Sequence, residues 1–281
     1  MFKKKVRRMD IKFLITCIND EIDLAKRLVK LLPKNSKKII SHQIYGTNKE
    51  YDVKFDDDNV TYLKMFTKGL SKNRNNLLNH VFSGIGIITD CDVLPVDHIL
   101  ENIQEAFEKF PDADVITFQR LDLEANLNRK YSKAPFKHNK LTILKVSSIQ
   151  IAFKIESIKK KKIAFDENFG AGTDLPIGEE NLFLNEALKK KLKVMYYPRP
   201  LFKHELRGSG SKYSDKIIKA RVLLLNRIFG RLLSPIFIIY FSIFHYKLYK
   251  EQYSFFDFLR KAFYYYVDDL MNGEKSGNKN P

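Results

Sequence analysis

A chain of 281 residues, 44% of them hydrophobic, has room for one large domain, or one domain with a smaller appendage, and its apolar content excludes global disorder. Its two cysteines, Cys17 and Cys91, exclude a disulfide framework; with no His or Cys cluster near them they argue against structural zinc and for a reducing compartment. Fifty Lys and Arg against 33 Asp and Glu leave a formal charge of +17, which attracts polyanions as a class without choosing among nucleic acid, anionic membrane and phosphorylated ligands.

Residues 1–10 form a basic tail. The apolar run behind it is short and has no small-residue cleavage site, so no secretory signal is expected and a cytoplasmic location follows. Ile11 to Ile18 is predicted as a buried strand, and Asp20 opens an amphipathic helix that Pro33 closes after Leu32. Lys38 to Ile44 and Val60 to Met65 are β-type runs. Ser71 is placed to cap a helix running toward His80. Ile85 to Thr89 is a further apolar strand, ending directly in Asp90-Cys91-Asp92. Pro95 and Asp97 start a helix that ends near Phe110-Pro111, and Val115 to Phe118 is again β-like. Leu121 to Lys145 is polar and carries no clear period. Ile149 to Ile155 is a candidate strand, and Lys159 to Lys162 a solvated charge run. After the Gly- and acid-rich stretch from Phe165 to Glu180 come a helix, about Asn181 to Lys191, and a strand, Lys193 to Tyr197. Strands alternating with helices predict an α/β fold with a largely parallel sheet, in which ligands gather at the carboxyl ends of strands.

Three places carry chemistry. Asp90 and Asp92 flank one residue at a strand end, where hard carboxylate oxygens suit Mg or Mn and a ligand diphosphate. The same D-x-D spacing also serves as a helix cap or turn, and the apolar strand ahead of it favours the metal. Glu179 and Glu180 follow Gly178 at a helix start. First-turn acids complement the helix dipole, and a carboxylate there is also placed to take a proton from an attacking hydroxyl. Lys68, Lys72 and Arg74 surround a Gly-Leu-Ser turn ahead of a helix, an arrangement that suits a phosphate as well as it suits a solvated basic helix start. A lone histidine, His204, is either structural or a metal ligand at the mouth of a phosphate site.

Together these segments resemble glycosyltransferase family 2. Lys68-Gly-Leu-Ser-Lys-Asn-Arg-Asn75 is similar to the family's stretch ahead of its metal motif, and the GIITDCDV run to its strand ending in D-x-D. Phe165-Asp-Glu-Asn-Phe-Gly170 followed by Gly178-Glu-Glu180 resembles the acceptor-side motif and its Glu-Asp pair. Tyr196-Tyr-Pro198 and His204 resemble the strand and histidine that follow. The ordered set covers roughly residues 11–210 and implies an A-type, Rossmann-like catalytic domain. It implies a divalent cation, Mn or Mg, on Asp92 and Asp90 with His204 completing the shell. Glu180 then stands as the base with Glu179 beside it, and Lys68, Ser71, Arg74, Asn75 and Asp90 on the donor. The implied reaction is inverting transfer from a nucleotide-sugar donor to a glycan or lipid-linked acceptor, of the kind that builds capsule, O-antigen or other surface polysaccharide.

The chain departs from the family pattern at three points. Glu replaces Asp at 180. The second strand carries Ser41-His-Gln43 rather than an acidic pair, and the first ends Thr16-Cys-Ile-Asn19 without a proline. Thr16, Asn19 and Gln43 are therefore the candidates for the donor base. A nucleotidyltransferase shares such a sheet but needs a glycine-rich loop after the first strand, and Cys17 to Asp23 has no glycine. A non-enzymatic polyanion binder explains the charge but not the placed acids, and no nucleic-acid module is present.

Beyond residue 210 the composition shifts. Residues 211–270 are expected to be helical, with a flexible tail over 271–281. Lys216, Lys219, Arg227 and Arg231 share roughly one helical face, and Leu232 to Phe244 is strongly apolar, broken by Pro235, and shorter than the roughly 20 residues that span a bilayer. From Leu206 to Pro281 there are 13 Lys and Arg against 6 Asp and Glu. The expectation is peripheral attachment to an anionic membrane through roughly Ile217 to Tyr249, weighed against a helix pair packed on the catalytic domain.

Overall fold

The computed structural model describes residues 9–205 and 213–276. The first eight residues of the expected basic tail, the 210/211 domain junction and the last five residues of the expected C-terminal tail lie outside the described residues. The first apolar run forms β1 (Ile11–Ile18), buried on both faces as a central parallel strand must be. Helix α1 (Ile22–Leu31) turns Ile22, Ala25, Leu28 and Val29 onto the sheet and stops where Leu32 takes an extended ψ ahead of Pro33. Strands β2 (Lys37–Gln43) and β3 (Val60–Met65) follow, then α2 (Leu70–Asn79), β4 (Ile85–Asp90) and β5 (Leu94–Pro95). Next come α3 (Ile99–Lys109), β6 (Val115–Leu121), β7 (Phe136–Lys137), β8 (Ile151–Lys154) and α4 (Ile155–Lys160). Helix α5 (Glu179–Lys189), β9 (Val194–Lys203), α6 (Asp215–Phe229), α7 (Ser234–Phe244) and α8 (Phe255–Ser276) complete the described chain.

The sheet order is β3-β2-β1-β4-β8-β6-β9-β5, with β7 on β9. Strands β1 to β4, β6 and β9 run one way, and β5, β7 and β8 oppose them. This is the expected α/β class with a mostly parallel sheet. Helices α1 and α3 cover one face, over a core that includes Phe13, Ile15 and Ile103; α2, α4 and α5 cover the other, over Leu14, Phe153 and Phe183. The chain leaves β1 toward β2 on one side and returns through β4 on the other. The β1/β4 boundary is thus the topological switch, and the crevice at its carboxyl end is where such sheets take ligands.

Several boundaries differ from the sequence reading. Pro95 sits in β5, paired with Phe202, and α3 starts only at Ile99. Strand β9 runs six residues past Tyr197, because β6 follows it through register shifts near Gln119 that accommodate Pro198 and Pro200. Pro235 does not break the apolar run; it lies in the first turn of α7, where its missing N–H costs nothing.

Helix α6 lies on the α/β unit. Its Leu224, Ala220 and Ile228 pack on Phe169, Leu175 and Leu182, and Ile217, Ile218 and Leu225 form a second core with Tyr249 and Phe258. Two of the four residues of the basic face pair with acids of the α/β unit: Lys216 with Asp174 at 2.7 Å and Arg227 with Asp166 at 3.6 Å. No helix among the described residues is long and apolar enough to cross a membrane.

Candidate active site

A cleft of about 550 Å³ opens at the switch point. Thr16 and Cys17 line it from the end of β1, Gln43 from β2, and Asp90, Cys91 and Asp92 from the end of β4. Lys68 and Gly69 enter ahead of α2, Glu179 and Glu180 from the start of α5, Arg120 from β6, and His204 just past β9. Residues spread over nearly two hundred positions meet because each stands at the carboxyl end of a strand or the amino end of a helix.

The floor is an ion triad centred on a buried arginine. Arg74 is 2% exposed; its Nη1 donates to Glu179 Oε1 at 2.8 Å and its Nη2 to Asp90 Oδ1 at 3.0 Å. Burial alone would lower the Arg74 pKa, but Asp90 and Glu179 outweigh it, and the guanidinium is held more firmly charged than in water. Thr16 Oγ1 and Ser148 Oγ also donate to Asp90, at 3.4 and 3.2 Å. Arg74 is thus turned inward, onto carboxylates rather than toward a phosphate, and the Asp90 carboxylate is occupied by three donors of the protein itself.

The two glutamates differ in kind. Glu179 is buried and tied to Arg74. Glu180, one residue on, faces the cleft and has no ion-pair partner among the described residues. Burial, reinforced by the neighbouring Glu179 charge, pushes the Glu180 pKa up to about 8. Position at a helix N-terminus suggests the opposite direction, an ionised carboxylate; desolvation is the larger effect here. Gly178 makes the turn possible, with φ +100° at the N-cap of α5 and its Cα face against Leu224 of α6.

Asp92 and His204 form the outward-facing pair. Asp92 Oδ2 lies 3.2 Å from His204 Nε2, and His204 Nδ1 donates to the Glu205 carbonyl at 2.7 Å. The shared hydrogen bond holds the Asp92 pKa down and the His204 pKa up. Among the described residues no group of three or more His, Cys, Asp and Glu gathers. One carboxylate and one imidazole on a cleft wall are nonetheless a donor set that fits Mn, with Mg the poorer match to imidazole. Such ions take few protein ligands and complete their shell with substrate phosphates and water. The Glu205 carbonyl fixes the orientation of the ring, as the hydrogen-bond partners of metal-bound histidines do.

The remaining sequence candidates divide. Gln43 lines the cleft and donates to the carbonyls of Thr67 and Gly69, bracing the turn into α2. Lys68 is exposed at the mouth, 5.6 Å from the Tyr45 ring, with no carboxylate partner among the described residues. Ser71 is not the helix cap: Gly69 is, and the Ser71 hydroxyl donates to the Phe169 carbonyl at 2.6 Å. Asn75 points to the far side of α2, where its amide exchanges hydrogen bonds with Phe165 backbone groups at 2.8 and 3.0 Å. Asn19 lies beside the cleft and clamps the Tyr45 backbone at 2.9 and 3.0 Å. Ser71 and Asn75 thus hold the acceptor-side segment rather than a ligand.

Sequence reasoning missed Arg120, Ser148 and Asn73. Arg120 has no carboxylate partner among the described residues, and burial lowers its pKa. Its position was legible: Val115 to Phe118 runs into Gln119-Arg120 as Ile85 to Thr89 runs into Asp90. Asn73 lines the cleft at 2% exposure, and its Oδ1 has no hydrogen-bond partner among the described residues. Ser148 lay between the stretch without a period, which ends at Lys145, and the candidate strand from Ile149, and gave no signal.

No family model matches this chain, and no curated protein sequence does. Solved structures do. Residues 1–349 of S. aureus TarS superpose with a TM-score of 0.59 at 14% identity, over 84% of this chain and 72% of that one. The same protein in complex with UDP gives 0.61 at 13%, over 88% and 76%, and in complex with UDP-GlcNAc 0.59 at 13%, over 84% and 73%. TarS is a family 2 glycosyltransferase, and the sheet and flanking helices described above are its A-type fold.

Proposed function

We propose that this chain is an inverting, cation-dependent glycosyltransferase that moves a sugar from a nucleotide-sugar donor to a hydroxyl of a glycan or lipid-linked acceptor in surface-polysaccharide synthesis. One observation carries the reading: Glu180, a carboxylate at the start of α5 with no ion-pair partner among the described residues, shares a cleft at the sheet's switch point with the Asp92–His204 pair, while its neighbour Glu179 is locked to Arg74. The UDP and UDP-GlcNAc complexes of TarS support a uridine diphosphate donor.

In this reading the base of the donor lies over Thr16 and Gln43, with Asn73 Oδ1 as the unfilled acceptor beside them. Lys68 and Arg120, the cations without carboxylate partners, meet the diphosphate. A divalent cation on Asp92 and His204 supplies charge neutralisation at the leaving diphosphate when bound. Asp90, held by Arg74, Thr16 and Ser148, keeps the strand end and the donor side of the cleft in place. Glu180 takes the proton of the acceptor hydroxyl as that oxygen attacks the anomeric carbon from the face opposite the leaving group, which inverts the centre. Arg74 holds Glu179 aside, so Glu180 is the carboxylate that meets the acceptor.

The test is a panel of nucleotide sugars offered to the purified protein with and without Mn. UDP should bind more tightly with Mn present, and at least one UDP-sugar should be cleaved in Mn and not in excess chelator. Unchanged activity in chelator would remove the cation. Absence of binding and cleavage across the whole panel would remove the transferase reading.

A further inference from the structure

Helix α7 faces the wrong way for a helix in water. Its sequence, SPIFIIYFSIF, contains no charged residue, and the side chains it buries are Ser234, Ile238 and Ser242, a stripe of four-residue spacing that includes both of its serines. Ser242 Oγ donates to the Ile238 carbonyl, and the Tyr249 hydroxyl reaches the Ser242 carbonyl, so this small, polar stripe is the one packed on the protein. The outward side carries Ile236 at 62% exposure, Ile239, Tyr240, Ile243 and Phe244 at 68%. Leu232 and Leu233 extend it ahead of the helix, and Tyr246 and Leu248 beyond it. A surface helix normally shows the reverse pattern, and a contiguous apolar face of this kind marks a surface that something covers.

The charge around that face selects what covers it. From Arg231 to Lys250 the chain has three basic residues and no Asp or Glu. Lys247 and Lys250 are exposed on the turn after α7 and form no ion pair among the described residues. Two exposed tyrosines, Tyr240 and Tyr246, stand with them, and tyrosine favours the headgroup level of a bilayer. A second copy of this chain would bring another +17 against the first, whereas an anionic lipid surface is complementary. At 1.5 Å per residue the 11 residues of α7 extend about 16 Å, too short to span and sufficient to lie in one leaflet.

We infer that α7, with residues 232–233 and 245–250, is an interfacial seat for an anionic lipid bilayer. The seat is narrower than the span predicted from sequence, since α6 is packed on the α/β unit. Helix α6 contacts both α7 and the Gly178 turn that presents Glu180, so a seated protein holds its cleft near the bilayer. That placement suits a lipid-linked acceptor, and this last step rests on the transferase reading; the seat itself does not.

Full-length protein is floated with phosphatidylcholine vesicles and with vesicles that also contain phosphatidylglycerol, and its mass is followed by sedimentation velocity. The wild type should float with the anionic vesicles and be released by salt. Lys247→Ala and Lys250→Ala should each weaken binding about fivefold. Ile239→Asp with Phe244→Asp should weaken it at least about tenfold, with an unchanged melting temperature because both side chains are exposed. The inference is overturned if the wild type floats with neither vesicle, or if it is a dimer that the Ile239→Asp, Phe244→Asp variant dissociates. Flotation needs no turnover, so an inactive protein that floats refutes the transferase reading alone.

Discussion

At the ends of β1 and β4 a guanidinium and the Glu179 carboxylate are removed from water, whereas on α7 isoleucine and phenylalanine are left facing it. The two regions reverse the ordinary distribution in opposite senses. In the cleft the buried Arg74 divides itself between Asp90 and Glu179, and Glu180 has no ion-pair partner among the described residues. On α7 no partner exists within the described chain. A buried pair that loses one member leaves a charge stranded in low dielectric, whereas an exposed apolar face in an isolated molecule has no contacts to lose. The cleft is therefore sensitive to single substitutions in ways that the helix is not. The buried charge of the first region is balanced inside the molecule, and the apolar face of the second is left open to contact outside it.

The largest expected effect falls on the carboxylate left without a partner. Glu180→Gln keeps shape and removes basicity, so UDP binding should persist while sugar transfer falls by about 10²-fold or more. Glu179→Gln should leave more transfer activity than Glu180→Gln, because Glu179 contacts Arg74 rather than the acceptor. The raised pKa of Glu180 adds two signatures. Transfer should increase as pH rises through neutrality, because the base works only when ionised. Stability runs the other way: the folded-state pKa lies above the unfolded value, so the native state holds the extra proton and is favoured below the unfolded pKa. That advantage is lost as pH climbs through the folded pKa, so Glu180→Gln should melt higher than the wild type above neutrality. A wild-type transfer rate in Glu180→Gln would show that the base has been assigned to the wrong glutamate.

The next effect is on folding. Arg74→Ala strands Glu179 at 6% exposure and frees Asp90, and a loss of about 3–5 kcal/mol in urea unfolding is expected. Arg74→Lys carries the charge but not the fork, so it serves one carboxylate and should recover only part of the loss. The contrast with α7 is sharp: Ile239→Asp, a more drastic change in polarity, should leave the same unfolding curve in place. If Arg74→Ala is as stable as the wild type, the triad is not what holds the floor together.

Much of this was legible before any coordinates. A central strand buried on both faces announces itself as a continuous apolar run, and β1 and β3 begin and end where the sequence placed them. Asp90, Asp92, Glu179, Glu180 and His204 were found because strand ends and helix starts are where such sheets present side chains, and all five line one cleft. What the sequence concealed was direction. Arg74 and Lys68 flank the same turn and read alike as cations for a phosphate. Helical geometry then turns one inward to two carboxylates and leaves the other at the mouth. Ser71 and Asn75 share α2 with the cleft-lining Asn73 and Arg74, but their side chains turn to the Phe169 and Phe165 carbonyls instead. The polarity of α7 was hidden too: a run that is apolar all round has little period, and its inward face is defined by two serines that composition does not weigh.

Gly178 is where the cleft meets α6, the helix against which α7 packs, and it yields the smallest of these effects. Its φ of +100° and ψ of 2° lie in the left-handed range, and a Cβ built there would sit 3.0 Å from Leu224 Cδ2. Gly178→Ala thus meets a backbone cost of roughly 1–2 kcal/mol, and a contact tight enough that the Leu224 side chain must shift. Leu224 belongs to α6, fully buried among Phe169, Leu175 and Leu182, so its displacement is felt on the acceptor-side segment and by the helices that carry the seat. The expected result is a melting temperature a few degrees lower, with UDP affinity unchanged because none of the proposed donor contacts lies on α5 or α6. Transfer should drop further than stability alone explains, because Glu180 sits two residues beyond the altered turn and its position relative to the acceptor shifts with it. The double variant Gly178→Ala, Leu224→Ala separates the two causes. Removing the Leu224 methyls relieves the contact and leaves the φ strain, so recovery of transfer in the double variant assigns the defect to the α6 contact. If Gly178→Ala changes stability and leaves transfer at the wild-type rate, the helical unit and the base are not mechanically connected.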